Sequence, residues 1–297
     1  MTMTQPQLNP PLAAWPDADD PVVLEDVTLA YGATIALADA SLRLPTGAVV
    51  GLAGSNGAGK SSLIRCLLGL TLPQSGRIRL LGEDPLELSD AARARLGYVP
   101  QTPELIEWMK VEQHLDYIGA FYPGWDAARV AHWCREWSLD PRQKVVGLSL
   151  GQKQKLSLLL ALGHAPQLLV LDEPVASLDP LMRREFMRTL FDQAPERTAL
   201  ISSHLLSDLE RVITHLVLMK NGRVLLVDEW DALNENLRRV VSPTRLPSGP
   251  GVLAQRTSSE DTTAVIDTRQ FPLSDLPSGA RQVMAMNLDE LFVELMS

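Results

Sequence analysis

With 297 residues and 45% apolar content, the chain can bury one large core with a smaller appendage, and it exceeds a single small module. Its 27 basic and 36 acidic side chains leave a formal charge of −9, which excludes the basic surface of a non-specific nucleic-acid binder; no nucleic-acid partner is expected. The two cysteines, Cys66 and Cys134, show no metal-ligand spacing and suit a reducing compartment, with both thiols in the core rather than in a disulfide framework.

In chain order, residues 1–20 hold four prolines and the acidic Asp17, Asp19 and Asp20 with little apolar pattern, which reads as a disordered tail. No Lys or Arg precedes Arg43, so the positive stretch of a secretory signal is not found. Strand-like patterns follow over Val22–Leu29, Ser41–Leu44 and Ala48–Ala53. Lys60–Leu68 then has helical spacing, with Leu63, Ile64, Leu67 and Leu68 apolar.

From about Thr102 to Gly147 the pattern is helical and rich in aromatics: Trp108, Tyr117, Phe121, Tyr122, Trp125, Trp133 and Trp137. Most of these are expected to fill a small helical core, because aromatics bury large areas, and a minority to face a partner. The most apolar stretch, Leu156–Leu171, is interrupted by Gly163, His164 and Pro166, short of the roughly 18 residues that suggest a membrane span. Any spanning part is therefore expected from another chain.

Further strands fit Leu168–Leu171, Thr198–Ser202 and Leu216–Met219, with helical patterns at Leu181–Phe191 and Leu205–Arg211 between them. Such alternation predicts an α/β core with a largely parallel sheet. Past Trp230 the linker-like Ser242–Gly251 carries three prolines and two glycines, and a small C-terminal domain is expected after it. Val252–Ser258 and Thr262–Thr268 can pair as a hairpin, Gln282–Met286 can add a strand, and Asn287 with Glu290 forms a capping-box pattern. Leu288, Leu291, Phe292 and Leu295 then line one helix face. No internal repeat is evident.

Two stretches carry chemistry. Gly54-Ser55-Asn56-Gly57-Ala58-Gly59-Lys60-Ser61, followed by Ser62, lies between a strand and a helix with the spacing of a P-loop, whose glycines let backbone N–H groups close around phosphate oxygens. In that reading Lys60 reaches the β and γ phosphates and Ser61 places its hydroxyl on Mg²⁺. Downstream, the apolar Leu168-Leu169-Val170-Leu171 ends in Asp172-Glu173, two carboxylates at the strand edge where doubly wound sheets bind ligands. Asp172 is the expected Mg²⁺ holder and Glu173 the group that orients or deprotonates the attacking water.

Leu148-Ser149-Leu150-Gly151-Gln152 precedes Leu168–Pro174 at the distance between signature motif and Walker B, and on this order of motifs the chain resembles an ABC transporter nucleotide-binding domain over roughly Val22–Asp228. The resemblance implies further roles. Tyr31 matches the aromatic that stacks on adenine, and Gln101 the glutamine that senses Mg²⁺ and the membrane partner. Ser177-Leu178-Asp179 resembles the D-loop, and His204 the switch histidine that contacts the γ-phosphate. His114, His132, His164 and His215 match nothing and are expected to be structural or exposed. Ser149 can cap a helix whose positive end points at ATP bound by a second subunit, with Gly151 and Gln152 beside it. Leu150 stands where the family usually has glycine, which limits backbone approach across that interface.

The implied fold is α/β: a P-loop NTPase (RecA-like) core with an antiparallel β subdomain and an inserted α-helical subdomain, plus a small α+β C-terminal domain. The expected division is tail 1–20, ATPase domain 21–230 with its helical subdomain at about 102–165, and accessory domain 231–297. The implied function is an ATP-binding and hydrolysing subunit that closes head-to-tail around ATP and Mg²⁺, as a homodimer given its full motif set, and drives a separate permease. Phe121-Tyr122-Pro123-Gly124-Trp125-Asp126 with Asn287–Leu295 resembles the bacterial branch paired with ABC-2 type permeases, mainly exporters. That places the chain in the cytoplasm, peripheral on the inner face of the cell membrane. A soluble ABC-type ATPase without a permease is the alternative; one P-loop and no sustained heptads weigh against it. A binding module without turnover is weighed against by Glu173 and His204.

Overall fold

A computed structural model describes residues 20–175, 178, 183, 187, 197–203, 210–258 and 261–296. It opens with an antiparallel hairpin, β1 (Val22–Tyr31) and β2 (Thr34–Leu44), turned at Gly32, whose φ of 59° carries no Cβ penalty. After β3 (Val49–Gly54) and α1 (Lys60–Leu67), β4 (Ser75–Leu80) returns to pair antiparallel with the other edge of β1. The result is a three-stranded sheet in the order β2-β1-β4.

A short helix α2 (Asp90–Arg93), capped by Ser89, leads into β5 (Leu96–Val99). Helices α3 (Val111–Gly119), α4 (Ala127–Glu136) and α5 (Leu150–Leu162) follow. The chain then re-enters the main sheet with β6 (Leu168–Asp172), β7 (Thr198–Ser203), β8 (His215–Lys220) and β9 (Arg223–Glu229). This six-stranded sheet runs β5-β6-β7-β3-β8-β9, parallel from β5 to β8 with β9 antiparallel at the edge.

Every residue of β6 and β7 is buried, as a sheet covered on both faces requires. Alternate residues serve different cores. Leu168 and Val170 join Leu24, Leu42, Leu52 and Leu63 beneath the three-stranded sheet and α1. Leu169 and Leu171 join Trp133, Leu156 and Leu159 of the helical region on the opposite face. Trp125 packs between Gly119 and Gly163, where a methyl on either glycine would collide with its indole. Cys66 and Cys134 are both buried.

The C-terminal residues form α6 (Trp230–Asn236), β10 (Leu237–Ser242), β11 (Val252–Thr257), β12 (Thr262–Asp267), β13 (Gln282–Ala285) and α7 (Leu288–Met296). The four strands make an antiparallel sheet in the order β11-β12-β10-β13. Val240, Ala264 and Ile266 pack under Leu246 and Phe271, whereas Leu237, Val265 and Met286 join Leu288, Leu291 and Leu295 of α7 in the core shared with the six-stranded sheet. The capping pattern forms as read: Glu290 N donates to Asn287 Oδ1 at 2.8 Å and Asn287 N to Glu290 Oε2 at 3.0 Å. Lys220 Nζ donates to Leu295 O at 3.1 Å, and Arg269 pairs with both Asp228 and Asp267, tying this sheet to the edge of the larger one.

Strand β2 begins seven residues before the predicted Ser41, and β4, β5, β9 and β10 lie outside the predicted strands. Ser242–Gly251, read as a linker ahead of the C-terminal sheet, instead joins β10, an inner strand of that sheet, to β11. Among the described residues no helix is long and apolar enough to cross a membrane. The predicted helices over Leu181–Phe191 and Leu205–Arg211, and all but the last residue of the expected tail, lie outside a continuous description.

Candidate active site

The phosphate-type loop leaves the C-terminal end of β3 and turns into α1. A Cβ on Gly54 would lie 2.7 Å from Met219 O, and one on Gly59 would lie 2.5 Å from Ala36 O, so the loop is clasped between β8 and β2 at positions that only glycine fits. Gly59 sits at φ 104° as the N-cap of α1 with no side-chain cap, so the first-turn amides remain for an anion. Ser55, Asn56 and Gly57 are exposed, Ala58 is buried, and Ser61 and Ser62 are half-buried.

Lys60 is buried at the base of the loop, its Nζ donating to Gly54 O at 2.8 Å and Ser55 O at 3.3 Å. Burial pulls the ammonium below the ordinary lysine value, and the charges of Glu173 and Asp172 pull it back. Glu173 Oε1 stands 3.9 Å from Lys60 Nζ.

Parallel pairing sets Asp172, Ser202 and Leu52 level on β6, β7 and β3. Ser202 Oγ donates to Asp172 Oδ1 at 2.6 Å and accepts from Glu173 N at 2.9 Å. Both carboxylates are buried. Glu173 adopts φ 50°, a left-handed conformation costing a residue with a Cβ about 1–2 kcal/mol. Pro174 follows and disfavours the right-handed helical alternative.

The other predicted site residues lie around this centre. Val99 pairs with Leu171, so Gln101 emerges two residues beyond it, exposed at the same edge. Tyr31 is half exposed at the tip of the β1–β2 hairpin, the arm whose Ala36 and Leu37 press on Gly59. Ser149 is the N-cap of α5: Gln152 N donates to Ser149 Oγ at 3.2 Å, and Ser149 N donates back to Gln152 Oε1 at 2.9 Å. Leu150 is 54% exposed in the first turn, and a Cβ on Gly151 would touch Leu178 at 3.5 Å. The structure thus joins Lys60, Asp172 and Glu173, and places Ser149, Gly151 and Gln152 together on a separate helix end. His204, which follows Ser203 at the end of β7, lies outside the described residues, as do Ser177 and Asp179.

His114 and His164 are buried, as expected of structural histidines; His164 stacks on Tyr122 with ring centroids 4.0 Å apart. Two residues at the site escaped the sequence reading. Ser202 was legible as a polar interruption in the apolar strand Ala199-Leu200-Ile201. Gly222 was legible too, because Asn221-Gly222 is a strong hairpin signal. They take φ 51° and 76° between β8 and β9, where Gly222 N donates to Ala58 O at 3.0 Å and Ala38 N donates to Gly222 O at 2.9 Å.

Residues 37–176 match the family model described as ABC transporter. The bacitracin transport ATP-binding protein BcrA of Bacillus licheniformis is 33% identical over 227 residues, spanning 72% of this chain and 71% of that relative. The Nod factor export ATP-binding protein I of a Rhizobium species is 34% identical over 71% of this chain and 72% of its own length. Among solved structures, an ATP-binding subunit of an ABC transporter superposes with a TM-score of 0.65 at 30% identity, covering 72% of this chain and 92% of that one.

Proposed function

Because the chain belongs to the ABC transporter ATP-binding proteins and is an ATPase of that family, we propose that Gly54–Ser62 cradle the phosphates of ATP and that Glu173 drives hydrolysis of its terminal bond. The observation that carries this reading is the meeting of Lys60, at the start of the helix after β3, with Asp172 and Glu173, at the end of β6, at one edge of the sheet. In it the N–H groups at the start of α1 bind phosphate oxygens, and Lys60 turns from Gly54 O and Ser55 O toward the β and γ phosphates. The Ser61 hydroxyl, the Asp172 carboxylate and Gln101 are hard oxygen donors suited to Mg²⁺, which supplies charge neutralisation of the phosphates when bound. Glu173 orients the attacking water and accepts its proton. Tyr31 stacks on adenine and His204 contacts the γ-phosphate.

Ser149, Gly151 and Gln152 cap the nucleotide of a second copy in a head-to-tail homodimer, with the N-terminus of α5 aimed at its phosphates. The exposed side chain of Leu150 limits how closely the copies approach. The partner is a permease of ABC-2 type, working in export from the inner face of the cell membrane; relatives named for bacitracin transport and Nod factor export support this direction. Residues 21–230 form the ATPase unit, with a helical subdomain at about 102–165, and 231–297 the accessory unit.

Glu173→Gln tests the reading. It should bind ATP normally, lose hydrolysis by on the order of 10²–10⁴-fold, and accumulate an ATP-bound dimer on a sizing column. Undiminished turnover would remove Glu173 from its role. Purification from detergent-solubilised membranes should bring a permease with it, and an ATPase recovered alone would argue against the transporter assignment.

A further inference from the structure

Ser202 is fully buried, sits on neither the Gly54–Ser62 loop nor the strand that carries Asp172, and bonds to the Asp172 carboxylate and to the Glu173 backbone amide. We propose that Ser202 is a positioning residue for hydrolysis, setting the Asp172 carboxylate and the Glu173 backbone relative to each other through one hydroxyl. The inference rests on the roles proposed for Asp172 and Glu173.

A hydroxyl has one proton and two lone pairs. Here the proton goes to Asp172 Oδ1 at 2.6 Å, so a lone pair is left to receive Glu173 N–H at 2.9 Å. Donation to a charged carboxylate oxygen fixes the rotor, since the reverse orientation would face a lone pair with an anion. The hydroxyl therefore acts as a directional relay from Glu173 N–H to Asp172 Oδ1.

The consequence differs at its two ends. At Asp172 the bond occupies one lone pair of Oδ1 and restrains the carboxylate proposed to bind Mg²⁺. At Glu173 it holds an amide whose residue sits at φ 50°, a conformation that no regular strand or helix would impose. Glu173 leaves β6 at this point, and the turn of its backbone decides where the carboxylate stands relative to Lys60, 3.9 Å away. Parallel pairing of β6 with β7 puts Ser202 opposite Asp172, so the hydroxyl is delivered by sheet register rather than by a loop.

The test compares Ser202→Ala, which deletes the relay, with Ser202→Thr, which keeps the hydroxyl and suits a strand. ATP binding in EDTA should be unchanged in both. In Ser202→Ala, Mn²⁺ binding to the ATP complex, read by electron paramagnetic resonance, should weaken roughly 10-fold and kcat should fall roughly 10- to 100-fold with little change in the KM for ATP. Ser202→Thr should restore most of both. Thermal melting of each variant reports whether the fold is retained; if Ser202→Ala fails to fold, Ser202→Cys replaces it, with the same losses expected from its weak donor. Wild-type Mn²⁺ affinity and kcat in a folded Ser202→Ala protein would overturn the proposal. Glu173→Gln, measured in parallel, separates the two readings: if it hydrolyses ATP at the wild-type rate, the assignment of Glu173 falls, whereas an inactive Glu173→Gln beside a normal Ser202→Ala removes only the role of Ser202.

Discussion

The six-stranded and four-stranded sheets of this chain are built from similar material and put to different use. In the larger sheet β5, β6, β7, β3 and β8 run parallel, so the C-terminal ends of segments far apart in sequence gather at one edge. Gly54, Asp172 and Ser203 end three adjacent strands there. The smaller sheet is antiparallel throughout, and neighbouring strands present opposite ends to each edge. Charged groups there pair between the sheet and its helix instead, as Glu294 of α7 does with Arg239 of β10 and Arg256 of β11. Parallel topology concentrates side chains for chemistry, whereas the antiparallel unit supplies packing through α7.

That contrast can be broken by experiment. The largest effect belongs to Lys60→Ala, which should weaken nucleotide binding and lower hydrolysis by on the order of 10²-fold or more, because it deletes the cation proposed to face the phosphates. Normal Mg-ATP binding by this variant, in a fluorescent-nucleotide titration, would remove the loop from its assignment. On the other side, Leu291→Ala opens a cavity beneath α7 and should cost about 2–5 kcal/mol in denaturant unfolding. Turnover per folded molecule should be unchanged; a loss of kcat with stability intact would show that the antiparallel unit takes part in the chemistry.

A smaller effect, about 1–3 kcal/mol, is expected for Gly163→Ala, whose methyl would overlap the Trp125 ring. Its effect on unfolding should exceed its effect on ATP affinity. The smallest is a response to pH. Burial lowers the His164 pKa, Arg197 and Arg129 lower it further, and the hydrogen bond to Leu96 O opposes them. The unfolded chain therefore binds the proton more readily, so stability is complete above the unfolded value of about 6.5 and declines as pH falls below it. His164→Gln should flatten that decline in melts between about pH 7 and 5; an unaltered slope would assign it to other groups.

What the sequence disclosed follows from which constraints are local. The loop from Gly54 to Ser61 was legible because its backbone demands residues of one type at fixed spacing, and Asp172-Glu173 because an apolar strand ends there. The α7 cap was legible for the same reason. By contrast β4, with Arg77 and Arg79 alternating with Ile78 and Leu80, is too short and polar to separate from a loop. Strand β10, Leu-Arg-Arg-Val-Val-Ser, hides its alternation behind two adjacent arginines and runs into Pro243. Ser202 could be seen as an oddity, but its two partners depend on register between β6 and β7, which no local pattern specifies.

The turn at Gly222 gives the molecule a built-in reporter. Its amide is bonded to the Gly54–Ser61 loop at Ala58 O, its carbonyl receives the Ala38 amide from the three-stranded sheet, and Lys220 beside it holds the last turn of α7. A ligand at 100 times its dissociation constant stabilises the native state by about 2.7 kcal/mol through mass action alone. Part of that stabilisation should be readable as slowed hydrogen exchange at Ala38 and Gly222, two amides outside the loop whose bonds close around it.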